Sequence, residues 1–292
     1  MDLNLILVCV VIVVALFFSY TNGFHDAANA IATSVSTRAW TPRAALLMAA
    51  TMNVIGAMMG TAVAKTVGKG IISISDYAES PLPEMQQKGL VIILAALLGA
   101  CIWNLITWWF GLPSSSSHAL IGGMVGAGLM SGTVVYWWGI MSHVVIPMFA
   151  SPIIGFVIGY IAMKIVLWVL RKAQYHRTMR RFRAGQRFSS AAMALGHGIQ
   201  DAQKTMGIIV MALLAGGYGE THNILDPVTG EMNVPLWVKI SGALAISLGT
   251  MAGGGRIMRT IGRKIIDLDP ARAFTAEAVS SSILYLCSYV IH

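Results

Sequence analysis

Eight stretches of this chain stay apolar for about 20 residues, the length that crosses a bilayer, and that leaves the chain few folds. They lie near 3–21, 44–64, 90–110, 115–136, 140–169, 191–215, 236–255 and 273–292. Inside hydrocarbon every backbone N–H and C=O must be paired within the protein, so segments like these are helices packed on one another. Charged residues make up 11% of the chain, less than half the share of about 25% in a soluble domain. The expected fold class is an all-α polytopic membrane protein. Met1-Asp2-Leu3 carries no positive n-region and no A-x-A site closes the first apolar run, so that segment is expected to be retained.

The charges that are present assign sides. Seven cations and no acid fall between Arg171 and Arg187, immediately after the fifth apolar stretch. Arg38 and Arg43 separate the first two stretches, and Arg256, Arg259, Arg263, Lys264 and Arg272 follow the seventh. All three basic loops fall on one side if the N-terminus is outside, and the positive-inside rule makes that side cytoplasmic. Loops 65–89 and 216–235, with Asp76, Glu79, Glu84, Glu220, Asp226 and Glu231, then lie outside. The net charge of +8 is therefore topogenic, with contact to anionic lipid as a further use, and nucleic acid is excluded as a partner. Cys9, Cys101 and Cys287 sit in apolar runs without a CxxC pair, so neither a disulfide nor a metal site is expected.

Two polar stretches interrupt this background and resemble each other: Gly23-Phe24-His25-Asp26-Ala27-Ala28-Asn29 and Gly198-Ile199-Gln200-Asp201-Ala202-Gln203-Lys204-Thr205. A carboxylate at membrane depth costs several kcal/mol, which makes each Asp a functional hypothesis. The copies are 175 residues apart. A second match, Thr66–Ile72 with Thr260–Ile266, has an offset of 194, and the difference falls in the longer loop around 216–235. By the topology above, the two copies run in opposite directions across the membrane. Inverted repeats with polar, Gly-interrupted helices meeting at the midplane are the architecture of alternating-access transporters. The expected organisation is a first half over 1–170 with about five spans, a basic cytoplasmic linker over 171–190, and a second inverted half over 191–292. The helices are expected to be broken or re-entrant at the Asp motifs. The second half reaches His292 without its own polar turn, so it is expected to be truncated, with a completing partner as the alternative.

Asp26 and Asp201 repel an anion but suit a coupling cation, Na⁺ or a proton. Asn29 and Gln203 can add oxygen ligands. Lys204 either neutralises substrate charge, substitutes for a coupling cation, or forms a structural pair with Asp201 or Asp26. Leu112-Pro113-Ser114-Ser115-Ser116-Ser117-His118 leads into the small-residue helix Gly122–Gly128. Hydroxyls entering a helix N-terminus can cradle a tetrahedral oxyanion. The same serines also serve as ordinary helix caps. Gly253-Gly254-Gly255 is a packing or breaking element. No G-x-S-x-G elbow accompanies the Ser/His run, so an intramembrane hydrolase is disfavoured and no catalytic residue is assigned.

These residues resemble the inorganic phosphate transporter (PiT) family, in its bacterial low-affinity form. That family carries a duplicated G-x-N-D-x-x-N-type motif and a P-x-[ST]-[ST]-[ST]-H hairpin, which Asn22–Ala30, His197–Gly207 and Pro113–His118 match. The resemblance implies phosphate binding by Ser115, Ser116, Ser117 and Thr205, with Lys204 beside them. It implies coupling-ion binding by Asp26, Asn29, Asp201 and Gln203. His25 and Gln200 stand where Asn is usual and, with His118, take supporting places. The implied protein is a secondary phosphate symporter of the bacterial plasma membrane, driven by H⁺ or Na⁺, without a resident cofactor. Its partners are phosphate, the coupling cation and membrane lipid, and a homodimer is compatible. Sulfate, a metal–phosphate complex, or a non-transporting fragment are the alternative readings.

Overall fold

A computed structural model of the chain describes residues 3–60, 77, 82–219, 222, 224, 233–261 and 268–290. The described elements are helices: α1 Leu3–Ser36, α2 Pro42–Met58, α3 Pro83–Phe110, α4 Ser116–Ser131, α5 Trp137–Leu170, α6 Tyr175–Ala215, α7 Leu236–Ala252, α8 Gly255–Thr260 and α9 Pro270–Val290. Local chemistry sets their ends. Thr41 caps α2, accepting from the Ala44 N–H at 3.4 Å ahead of Pro42. Gly111 and Gly132 end α3 and α4 in the left-handed conformation, at φ 67° and 72°, where a side chain would be strained. Ser115 caps α4 by accepting from the His118 N–H.

Three of these helices, α1, α3 and α5, are long and apolar enough to cross a membrane, and α7 is a shorter apolar helix. The core forms where α1 meets α3, α6 and α7, and where α6 meets α2 and α9. Its largest buried side chains include Phe18, Leu97, Met206, Ile209 and Ile246. By contrast α5, which takes a π-helical turn at Met141–Val145, buries none of its residues and touches the bundle through α9. Phe149, Phe156, Trp168 and its other apolar side chains therefore face outward, as lipid-exposed residues do.

Several expectations are corrected. Neither Asp motif breaks its helix: α1 runs for 34 residues through Asp26, and α6 for 41 residues through Asp201. The glycines serve close crossings instead. A Cβ on Gly23 would collide with the Ile246 carbonyl of α7, and one on Gly249 with the Tyr20 carbonyl of α1. The α2–α6 crossing repeats this arrangement, Gly198 lying on the Asn53 carbonyl and Gly56 on the Leu195 carbonyl. Most of the basic linker is not a loop either: after a short turn holding Arg171 and Lys172, α6 begins at Tyr175 and carries the other five cations on its first turns. The stretch 115–136 yields only 16 helical residues, about 24 Å, short of a hydrocarbon core about 30 Å thick. The expected breaks occur at Leu112–Ser115 and at Gly253–Gly254, between α7 and α8. The match of Thr66–Ile72, the acids Asp76, Glu79, Glu220, Asp226 and Glu231, and His292 lie outside the described residues.

One buried acid holds three helices together. Glu277 of α9 accepts from the Thr33 hydroxyl of α1 at 2.6 Å, the Gln186 amide at 3.2 Å and the Ser189 hydroxyl, both on α6. Thr37 in turn donates to the Gln186 carbonyl oxygen at 2.7 Å. Glu277→Ala is expected to strand two buried donors and one half-buried one and lower stability by about 2–4 kcal/mol, read as the unfolding midpoint in detergent. Glu277→Gln, which keeps an acceptor, should lose about half as much.

Candidate functional site

The long, unbroken helices place the two motifs by register. On a helix, residues three and four apart share a face and residues one or two apart do not. Around Asp201 that rule selects His197 and Lys204. The His197 Nδ1 lies 3.5 Å from one carboxylate oxygen, and the Lys204 ammonium donates to the other at 2.5 Å. In α1, Asn29 donates to Asp26 at 3.1 Å across the same three-residue step. Asp26 and Asp201 line a single small pocket, together with Gly23, Asn53, His197 and Ile246. The structure thus brings the two acids to one site, as the duplicated motif suggests.

The Ser-rich hairpin reaches this site through Lys204, which donates to the Ser117 hydroxyl near the α4 N-terminus as well as to Asp201. Two neighbouring hydroxyls are buried and unpartnered among the described residues, Ser116 Oγ and Thr205 Oγ1. An unpaired buried hydroxyl costs about 1–3 kcal/mol, which a ligand accepting from it relieves. Thr205 lies four residues beyond Asp201, hence on the same face. Ser115 is spent as the α4 cap. His118 contributes its backbone N–H to that cap.

Other predicted residues face elsewhere. Gln203 is buried beside Gly60 at the end of α2 and does not line the Asp pocket. Gln200 donates to the Leu284 carbonyl of α9 at 3.5 Å. His25, one residue before Asp26, turns to α3, where its Nε2 meets the Thr107 hydroxyl at 2.9 Å and Ser114 Oγ at 3.4 Å. Ser114 also donates to Thr107 at 3.0 Å. His25 therefore ties the first motif to the start of the hairpin, a supporting place rather than a ligand's.

Sequence reasoning missed Asn53, His197, Thr250 and Ser114. Asn53 donates to the Thr250 hydroxyl at 2.8 Å, and its side-chain Oδ1 is unpartnered among the described residues. A lone amide within the apolar run Leu46–Met58 was the available signal. Among the described residues no group of three or more His, Cys, Asp or Glu side chains is arranged for a metal ion. Cys9 and Cys101 are free thiols.

The arrangement is two carboxylates with one tethered ammonium, adjoining a cluster of hydroxyls at a helix N-terminus. It can hold a cation at the acids and an oxyanion at the hydroxyls, with Lys204 between them.

Comparison with known proteins places the chain in a family. Residues 22–291 match the sequence model described as the phosphate transporter family. The "probable low-affinity inorganic phosphate transporter" of Bacillus subtilis (strain 168) is 40% identical over 291 residues, 99% of this chain and 82% of that protein. The protein of the same description from Mycobacterium leprae (strain TN) is 39% identical over 291 residues, 99% of this chain, and this chain spans 66% of that protein's length. The one from Streptomyces halstedii is 55% identical over 198 residues, 68% of this chain and 89% of that protein. A solved structure titled "The sodium-dependent phosphate transporter" superposes with a TM-score of 0.79 at 22% identity, covering 97% of this chain and 84% of the other, and so shares the fold. The relatives are named as transporters, in keeping with the absence of an assigned catalytic residue. The chain belongs to the phosphate transporter family.

Proposed function

We propose that this membrane protein imports inorganic phosphate by secondary active transport, coupled to a cation, H⁺ or Na⁺, through alternating access. One observation carries the reading: Lys204 joins Asp201 of the second motif to Ser117 of the hairpin. The cation and anion sites are therefore neighbours, and occupancy of one alters the field at the other. Ser116, Ser117 and Thr205 bind phosphate with Lys204, and Ser115 orients them as the α4 cap. Asp26, Asn29 and Asp201 frame the coupling-cation site, and Asn53 joins them from α2. Gln203 lies outside that pocket. The matched glycine crossings support a duplicated, inverted plan: Gly23 and Tyr20 correspond to Gly198 and Leu195 at one offset, Asn53 and Gly56 to Ile246 and Gly249 at another. The cations on the first turns of α6 support a cytoplasmic face there, hence an N-terminus outside.

The test is uptake of radiolabelled phosphate into proteoliposomes under an imposed proton or sodium gradient. Gradient-driven uptake is expected, with excess unlabelled phosphate competing and sulfate not. Asp26→Asn, which keeps shape and removes charge, should lower that uptake at least about tenfold, equivalent to about 1.4 kcal/mol, with expression unchanged. Undiminished gradient-driven uptake in that variant would sink the coupling assignment, and equal competition by sulfate would sink the substrate assignment.

A further inference from the structure

The two motif copies differ by a full charge at one position. Asn29 and Lys204 both stand three residues after their Asp and both donate to it, Asn29 to Asp26 at 3.1 Å and Lys204 to Asp201 at 2.5 Å. A neutral amide in the first copy thus becomes an ammonium in the second. The groups facing this site can be counted element by element. From α1 come Asp26 and Asn29, and from α6 come His197, Asp201 and Lys204. Uncharged groups come from α2 (Asn53), α4 (Ser117) and α7 (Thr250 and Ile246). Among the described residues, two carboxylates therefore face one permanent cation, and His197 adds a charge only when protonated.

Each carboxylate in a pocket of low dielectric needs its own compensating charge. Lys204 supplies one without entropy of capture, because it is covalently held at its post. A tethered group binds intramolecularly, so its occupancy does not depend on the ion content of the medium. We infer that Lys204 is a built-in counter-cation: it fills at Asp201 the place that a mobile monovalent cation fills at Asp26. The site then takes up one mobile cation where an Asn at position 204 would make it take two. This rests on the Asp pair being the cation site.

The experiment counts cations directly on the purified chain in nanodiscs. Bound ²²Na⁺ is measured at equilibrium, and in a second arm the protons taken up or released are measured in weakly buffered solution, each with and without phosphate. The wild type should take up about one cation per protein and Lys204→Asn about two, with a correspondingly steeper cation dependence of phosphate binding. Lys204→Arg, which keeps the charge, should keep the wild-type count of about one cation. Asn29→Lys, which installs a second tethered cation, should bring the count to about zero and leave phosphate binding independent of added cation. A folded Lys204→Asn protein with the wild-type count overturns the inference. Asn29→Lys decides alone if Lys204→Asn does not fold: a count still near one overturns the inference. A count near zero in every protein overturns it together with the cation reading of the Asp pair. Counts that step by one while phosphate fails to bind uphold the inference and remove the substrate assignment instead.

Discussion

Asp201→Ala is expected to cost about 3–5 kcal/mol of stability and to abolish phosphate binding in the same step. Asp201 is 5% exposed, and its carboxylate is the acid that holds the Lys204 ammonium. Removing it strips an ammonium, whose side chain is 16% exposed, of the one carboxylate it donates to, with Asp26 left as the remaining acid of the pocket. That is the costly case: breaking a buried pair hurts far more than replacing both partners. The unfolding midpoint in detergent and an equilibrium phosphate-binding assay read the two losses separately. The double variant Asp201→Ala/Lys204→Met should recover most of the stability and none of the binding, because it removes the stranded charge and the site together. An Asp201→Ala protein as stable as wild type would show that the pair is not the buried contact described here.

Gly249→Ala should be nearly as damaging through packing alone. A single methyl there would drive into the Tyr20 carbonyl of α1. The obstacle is main chain, so no side-chain rotation relieves it and α7 must lift away from α1. At least about 3 kcal/mol is expected, the upper end of overpacking costs. Gly155 is the internal control. It lies in the exposed helix α5, with nothing within 4 Å of an added Cβ. Gly155→Ala should shift stability by less than about 1 kcal/mol, and upward, since alanine is the better helix former. Equal midpoints for the two variants would mean that the α1–α7 crossing is not the constraint.

Much of this arrangement was legible in the sequence. The apolar stretches predict most of the helices, because a lipid-facing or buried span has to be apolar over its whole length. The twin Asp motifs predict one shared pocket, because a buried charge is retained only where it is used. The errors have physical causes. Gly23 and Gly198 were read as helix breakers, yet glycine in a membrane helix also permits another backbone to approach, and the sequence does not show which backbone that is. Gln203 was read as a ligand although a two-residue step from Asp201 points it to the other side of the helix, a register argument that single residues do allow. Asn53 and Glu277 escaped notice because each lies isolated in its run, and their partners, Thr250, Thr33, Gln186 and Ser189, are more than eighty residues away along the chain. Long-range partners leave no local pattern.

The two glycine crossings also bear on motion. Where two helices touch main chain to main chain, sliding by even a fraction of a residue drives a carbonyl into a Cα, so the contact behaves as a bearing that permits pivoting and forbids shear. The α1–α7 and α2–α6 crossings form two such bearings, both within one helical turn of an Asp motif. The acids therefore sit at the part of the molecule with the shortest lever arm. The outer ends of α3 and α9 lie farther from these pivots and have the longer travel. A small rotation at the ion site becomes a larger displacement at the bundle's ends.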